Sequence, residues 1–288
     1  TTDIQDGQPR TVIRFADNNG PVTLLGGTMA GLITARDEHV LGQIEAMDSL
    51  AALLITEVNK GHSQGLGLQG YTAMTGSNMV LDAGAVLNTA GAGLALAPRN
   101  GSFQLTVTDR VSGTSGANTI QVDLDGIGAD DSLSTLAAKI NAQVANVTAV
   151  VTADNRLQLS AANGFDMTFG QDSSNVLAAL GLNSFFTGGS AENIAVNTML
   201  KSDPRLLAAA TSRAVGDGSN AGRLSALATQ PLDALGGRSI TGFYNDIATG
   251  LASKASATRA AHTSTQGITS ALSGQRESIS GVSLDEET

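Results

Sequence analysis

The 288-residue chain contains no cysteine and no tryptophan, and aromatic residues make up only 3% of it. Without cysteine there is no disulfide, no thiolate nucleophile and no cysteine metal ligand. Since aromatics are so few, the core must be built mainly from alanine, leucine, valine and isoleucine. That composition favours close helix packing and short strands over a ligand-stacking cavity, and it predicts a fold held together by packing alone.

Charge is also scarce and is mostly of one sign. Charged residues make up 15% of the chain, below the roughly 25% of an average soluble domain. Asp and Glu number 26 against 16 Lys and Arg, which gives a net charge of −10. Because the sequence has no basic run, repulsion disfavours nucleic acid and anionic membranes as partners. No stretch approaches the ~20 apolar residues that span a bilayer.

The residues that could support chemistry do not form a recognisable site. The histidines are His39, His62 and His262, and the first two are too far apart on one helix to bind the same ion. The acidic run Asp123–Asp131 places Gly126 fourth, whereas a calcium-binding EF-hand loop needs glycine sixth, so we interpret it as a strand end, a turn and a helix cap. Phosphate-binding glycine loops and nucleophile elbows are absent too. We therefore predict no enzyme activity and no catalytic, cofactor-binding or metal-binding residues.

Two segments have the period of an amphipathic helix. In the segment 36–60, apolar residues alternate in steps of four and three, with Gly61 expected to end the helix: Val40, Ile44, Met47, Ala51, Leu54 and Val58. In the segment 239–280 the corresponding residues are Ile240, Tyr244, Ile247, Leu251, Leu272 and Ile279. Each stripe needs a packing partner, so we expect the two segments to fold together.

The middle of the chain has the period of a β-strand. Alternating apolar residues predict strands at 103–108, 120–124, 147–152, 156–160 and 165–169. A short helix is expected from Leu133 with Asp131 or Ser132 as its cap, and another from Val176 to Leu180 that ends at Gly181. Residues 71–97 are predicted as connecting structure, and residues 11–15 and 22–25 as a pair of strands around the turn at 17–21.

Three motifs resemble one family. The ending Ser280-Gly281-Val282-Ser283-Leu284-Asp285-Glu286-Glu287 resembles the C-terminal signature of the bacterial hook-associated protein 1 (hook–filament junction protein) family, with Ser283 where that family usually has Asn. Val58-Asn59-x-x-His62 resembles the central pattern of the same family, although Gln69 replaces an Asn and an expected Phe-Phe pair is missing. The stretches 175–188 and 216–221 are similar to its inserted module, with Gly218 in place of Asn.

The resemblance implies an α+β, elongated multidomain fold. A helical-bundle domain would be built from residues 1–97 and 200–288, with an inserted β-rich, flagellin-like domain at 98–199. The implied function is that of a structural subunit of the extracellular bacterial flagellum, exported without a cleaved signal peptide, which joins hook to filament and is needed for filament assembly.

The implied partners are the hook protein, a second junction protein and further copies of the chain in a ring. Compared with the family, the chain is expected to be truncated at both terminal helices and therefore monomeric. The alternative is a flagellin-like surface adhesin or glycan-binding module. Few residues support this alternative, because glycan sites favour exposed aromatics and the chain has only Tyr71 and Tyr244 as tyrosines.

Overall fold

The computed structural model describes residues 2–5, 8–24 and 26–280. Residues 281–287, which carry most of the C-terminal motif, lie outside the described residues. The chain divides into two compact units, Thr1–Ala46 and Met47–Thr288. Helices towards both ends of the chain flank a β-rich region, which confirms the predicted α+β class.

The first unit begins with strands and ends in helix. Strand β1 (Thr2–Gln5) pairs antiparallel with strand β2 (Gln8–Thr11). The predicted turn at 17–21 is present, but its flanking strands are reduced to one bridge between Arg14 and Pro21. Proline has no N–H to continue a ladder, which accounts for the short pairing. Helix α1 (Gly27–Thr34) runs through a π-helical turn (Ala35–Val40) into helix α2, so the helical segment begins earlier than predicted.

Helix α2 spans Leu41–Ser63 and buries a different face from the one that its apolar period predicts. The buried residues are Ala51, Ile55, Asn59, His62 and Ser63, whereas Leu54 and Val58 of the predicted stripe are only half-buried. The predicted stripe is therefore wrong over this half of the helix. Hydrophobic periodicity cannot locate a face whose buried members include a histidine and an asparagine.

The predicted helix end at Gly61 is also wrong, because α2 continues to Ser63. Gly61 serves another purpose. A Cβ at this position would lie 2.7 Å from Cδ2 of Leu224, so the missing side chain lets helix α2 approach the segment that carries Leu224.

The β-rich region contains two antiparallel three-stranded sheets, ordered β3-β7-β6 and β5-β4-β8. Their elements in chain order are β3 (Ala73–Thr75), β4 (Gly101–Asp109), β5 (Ser115–Val122), helix α3 (Leu133–Gln143), β6 (Val147–Val151), β7 (Leu157–Ala161) and β8 (Phe165–Gly170). The five predicted strands and the predicted helix are confirmed. Ser132 caps α3 by accepting a hydrogen bond from the Thr135 N–H at 3.2 Å.

The rest of the chain is mainly helical. Its elements are α4 (Val176–Leu180), the strand pair β9 (Phe186–Thr187) and β10 (Ala195–Val196), α5 (Thr198–Ser202), α6 (Ser219–Ala226) and α7 (Ile240–Ser280). Short 3-10 turns lie at 90–92, 204–206 and 233–235. Gly181 ends α4 with φ 70°, as predicted. From Leu251 to Ile279 every residue of α7 is exposed.

One hydrophobic cluster extends from Tyr71 to Leu206 and includes the apolar faces of both three-stranded sheets. Met74, Val80 and Leu87 belong to it, so part of the segment predicted as connecting structure contributes to the core of the β-rich region. Strand β3, which contains Met74, also pairs with β7 of this region. The domain boundaries at 97/98 and 199/200 stay predictions. Because the cluster extends from Tyr71 to Leu206, a test of these boundaries must include the core residues on both sides of them.

Candidate functional site

The C-terminal half of α2 buries two polar side chains of the Val58-Asn59-x-x-His62 motif. Asn59 is 4% exposed and His62 is fully buried. A buried polar group is costly unless it is hydrogen-bonded, so the partners of these side chains define what the motif does. We call Asn59, His62, Tyr71, Asn183 and Asn220 the polar junction.

Asn59 binds the backbone of the segment after α4. Its Oδ1 accepts hydrogen bonds from the N–H groups of Phe185 and Phe186, both at 2.9 Å. Its Nδ2 donates to the carbonyl oxygen of Phe186, also at 2.9 Å. One side chain thus satisfies three backbone groups where β9 begins, and it fixes that strand against α2.

His62 uses both ring nitrogens. Nδ1 lies 2.8 Å from the carbonyl oxygen of Asn183 and must donate to it, since a carbonyl can only accept. Nε2 then accepts from the N–H of Ala208 at 3.0 Å. Burial lowers the pKa of His62 below its usual range, against a smaller raising effect of the bond to Asn183. The ring is therefore held neutral, in one tautomer, between two segments that are distant in sequence.

Asn183 binds the backbone at the C-terminal end of α2. Its Nδ2 donates to the carbonyl oxygens of Ser63 at 3.3 Å and Gly65 at 3.1 Å, groups that the helix end leaves without an intrahelical partner. Its Oδ1 accepts from the hydroxyl of Tyr71 at 2.8 Å. The backbone of Asn183 has φ 48°, a conformation that asparagine tolerates better than most residues. Sequence reasoning missed this residue, although an asparagine just after a glycine helix cap is a usable signal.

Asn220 is the remaining member of the polar junction. Its Nδ2 donates to the carbonyl oxygen of Ala208 at 2.6 Å. A Cβ at Gly65 would lie 2.8 Å from that oxygen and closer still to the amide of Asn220, so only glycine fits there. Within the same 216–221 motif, Asp217 accepts from the N–H groups of Thr211 at 3.0 Å, Ser212 at 2.7 Å and Ser219 at 2.9 Å. The hydrogen bonds from Ser219, followed by those from Ser212, lower the pKa of the Asp217 carboxyl.

The junction is built for fixing the chain rather than for catalysis. Apart from the bond of Tyr71 to the Asn183 side chain, its hydrogen bonds go to backbone atoms, and burial raises the pKa of the Tyr71 hydroxyl, which keeps the proton it donates. The function that follows from this geometry is mechanical. It holds α2 to the segments at 183–186, 208 and 220.

The other histidines and the acidic run considered in the sequence lie outside the polar junction. His39 is in the π-helical turn of the first unit, and His262 is exposed on α7 of the second. Carboxylate oxygens of Asp123, Asp125 and Asp130 lie within 4.8 Å of one another. Asp125 Oδ1 accepts from the Ile127 N–H at 2.8 Å and Asp130 Oδ1 from the Gly126 N–H at 3.0 Å. These bonds fit the predicted turn.

Helix α7 presents an unpartnered apolar face. Ile268 is 59% exposed, Leu272 60% and Ile279 82%. Large exposed apolar side chains on one helix face mark a candidate interaction surface. Over the described residues, none of the helices combines the length and the apolar character that crossing a membrane requires.

Two sequence families match the chain. Residues 1–79 match the flagellar hook-associated protein FlgK helical domain, and residues 110–163 match the flagellin hook IN motif. Both matches support a flagellar hook-associated protein family for this chain. No curated protein matches it.

The two matches fall on different parts of the described fold. The first contains α1, α2 and three members of the polar junction, Asn59, His62 and Tyr71. The second contains α3 and strands β5 to β7. Both families are structural components of the flagellum, and the role of this protein is structural in that extracellular appendage.

Proposed function

We propose that this protein forms the junction between hook and filament and is needed for filament assembly. The observation that carries the proposal is the match of residues 1–79 to the FlgK helical domain, together with the Ser-Gly-Val-x-Leu-Asp-Glu-Glu ending. The ending favours a junction protein over a filament cap or a flagellin. Its partners are then the hook protein, a second junction protein and further copies of itself in a ring.

The exposed face of α7 supports such an assembly role. Steps of four and three residues connect Ile240, Tyr244, Ile247 and Leu251 at one end and Ile268, Leu272 and Ile279 at the other. This spacing is that of a helix that packs on further helices. Copies with a net charge of −10 repel one another, so we propose that ring formation requires the growing flagellum and that the chain alone is monomeric in solution.

The proposal is tested by expressing α7 variants in cells that lack the native gene and imaging their flagella. Leu272→Asp and Ile268→Asp place a charge on the apolar face, and both positions are exposed, so the fold should be kept. Ser270→Asp, on the opposite side of the helix, is the matched control. We expect hooks without filaments for the first two variants and normal filaments for the control.

Normal filaments on cells carrying Leu272→Asp and Ile268→Asp would show that this face is not needed for assembly. Normal filaments combined with lost surface attachment would instead support the adhesin alternative. Tyr71 is buried and cannot stack on a sugar ring, whereas Tyr244 is 52% exposed but belongs to the apolar stripe of α7, so that alternative has little support in the fold.

A further inference from the structure

The polar face of the sheet β5-β4-β8 borders a cavity that the polar junction does not use. Along β4, Phe103, Leu105 and Val107 are buried in the core, while Gln104 and Thr106 alternate with them and line the cavity. Its volume is about 260 Å³. Because period-two alternation sends neighbouring residues to opposite faces, β4 contributes polar side chains to the cavity, whose wall also includes Leu66 and Phe169.

Two arginines give the cavity its charge. Arg213 and Arg223 both line it, together with Gln64 and Gln171, and the lining includes no Asp or Glu. Over the part of the chain that the structure describes, neither arginine forms an ion pair. The chain has a net charge of −10, but the wall of this cavity contains two guanidinium groups and no carboxylate.

The 216–221 motif positions both arginines. Asp217 fixes the turn at 211–212, and this turn leads into Arg213, whose Nη2 donates to Thr108 Oγ1 at 2.9 Å. Buried Asn220 lies in the first turn of α6, which carries Arg223, and Arg223 Nη2 lies 3.4 Å from Gln64 Oε1. Both side chains are exposed, and each is positioned by one hydrogen bond, that of Arg213 to Thr108 and that of Arg223 to Gln64.

We propose that this cavity binds the carboxylate of a small polar organic acid. A guanidinium fork matches a carboxylate with two parallel N–H donors, and such charge-assisted bonds are about twice as strong as neutral ones. The amide and hydroxyl groups of Gln64, Gln104 and Thr106 then suit the polar body of the acid. Of the nearby carboxylates, Asp217 is engaged by its own turn. Asp166 lies opposite Thr108 in the strand register, and its buried Oδ1 has no hydrogen-bond partner among the described residues; neither carboxylate lines the cavity.

The test is a titration of the whole protein, followed through backbone amide chemical shifts. The probes are glucuronate, acetate, inorganic phosphate and neutral glucose. We expect saturable shifts at residues 104–106 and 211–213 with glucuronate, weaker saturation with acetate, and none with glucose. Arg223→Gln should weaken glucuronate binding about tenfold, as expected for one charge-assisted bond. Arg259→Gln, which removes an exposed charge on α7, should change nothing.

Arg213 also contacts Thr108, so Arg213→Gln can loosen the turn. Arg213→Lys keeps the charge without the fork and should bind more weakly than the parent while melting at the same temperature. Equal binding by the parent and Arg223→Gln would overturn the proposal. So would shifts that do not saturate, or tighter binding of phosphate than of glucuronate.

Discussion

Replacing Asn59 by alanine tests the polar junction directly, because one side chain there satisfies three backbone groups. The change leaves the N–H groups of Phe185 and Phe186 and the carbonyl of Phe186 without their partner. Each buried polar group left unpaired costs about 1–3 kcal/mol. Since Phe185 and Phe186 are half-buried, water can reach part of the gap, and we expect a total loss of about 2–5 kcal/mol. That is a large share of the roughly 5–15 kcal/mol that stabilises a typical protein.

The assay is urea unfolding, and the matched control is Asn118→Ala. Asn118 is half-buried, and its amide makes two long bonds of 3.4 Å to the carbonyls of Leu105 and Gly116. The control should lose less than about 1 kcal/mol, the net value of a typical hydrogen bond. If Asn59→Ala and Asn118→Ala unfold at the same urea concentration, the junction does not hold the fold in the way described.

Three further predictions concern the same region. The free energy of unfolding should fall as pH drops from 6.5 towards the lowered pKa of His62, because in that range the unfolded chain binds a proton that the folded chain does not. The dependence of this free energy on pH should reach at most about 1.4 kcal/mol per pH unit, and it should flatten in His62→Gln. Ile55→Asp should destabilise the protein more than Leu54→Asp in thermal melts, since Ile55 is 8% exposed and Leu54 is half-buried. A fragment of residues 64–218 should melt cooperatively and at a higher temperature than a fragment of residues 98–199, because the shorter piece lacks core residues on both sides.

Each of these has a control or a contrary result. His262→Gln should leave the pH profile of stability unchanged, and a parent profile that is flat between pH 5 and 6.5 would contradict the structure's account of His62. Equal melting temperatures for Ile55→Asp and Leu54→Asp would instead support the buried face of α2 that the apolar period predicts. Equal stability of the two fragments would support boundaries at 97/98 and 199/200.

The β-rich region could be predicted from sequence because its signals are local. Alternating residues mark β4 and β5, Asn155 with φ 54° joins β6 and β7, and Ser132 caps α3. Strand β3 was missed because it has only three residues and owes its conformation to pairing with β7, which lies over eighty positions away. Short strands of this kind leave no periodic pattern to read.

The polar junction could be predicted only in part. The sequence predicts Asn59 and His62 as members of one motif, but their partners are more than 120 positions away along the chain: Phe185 and Phe186 for Asn59, Asn183 and Ala208 for His62. Single-sequence patterns carry no information on such pairings. The same limitation explains the wrong face of α2, since polar residues belong inside only when distant backbone groups meet them.

The central claim is that this protein joins the filament to the hook, and electron microscopy of flagella from cells lacking its gene tests that claim most directly. We expect intact hooks without filaments, with filaments restored when the full-length gene is returned. Filaments of normal number and length on the mutant hooks would contradict it.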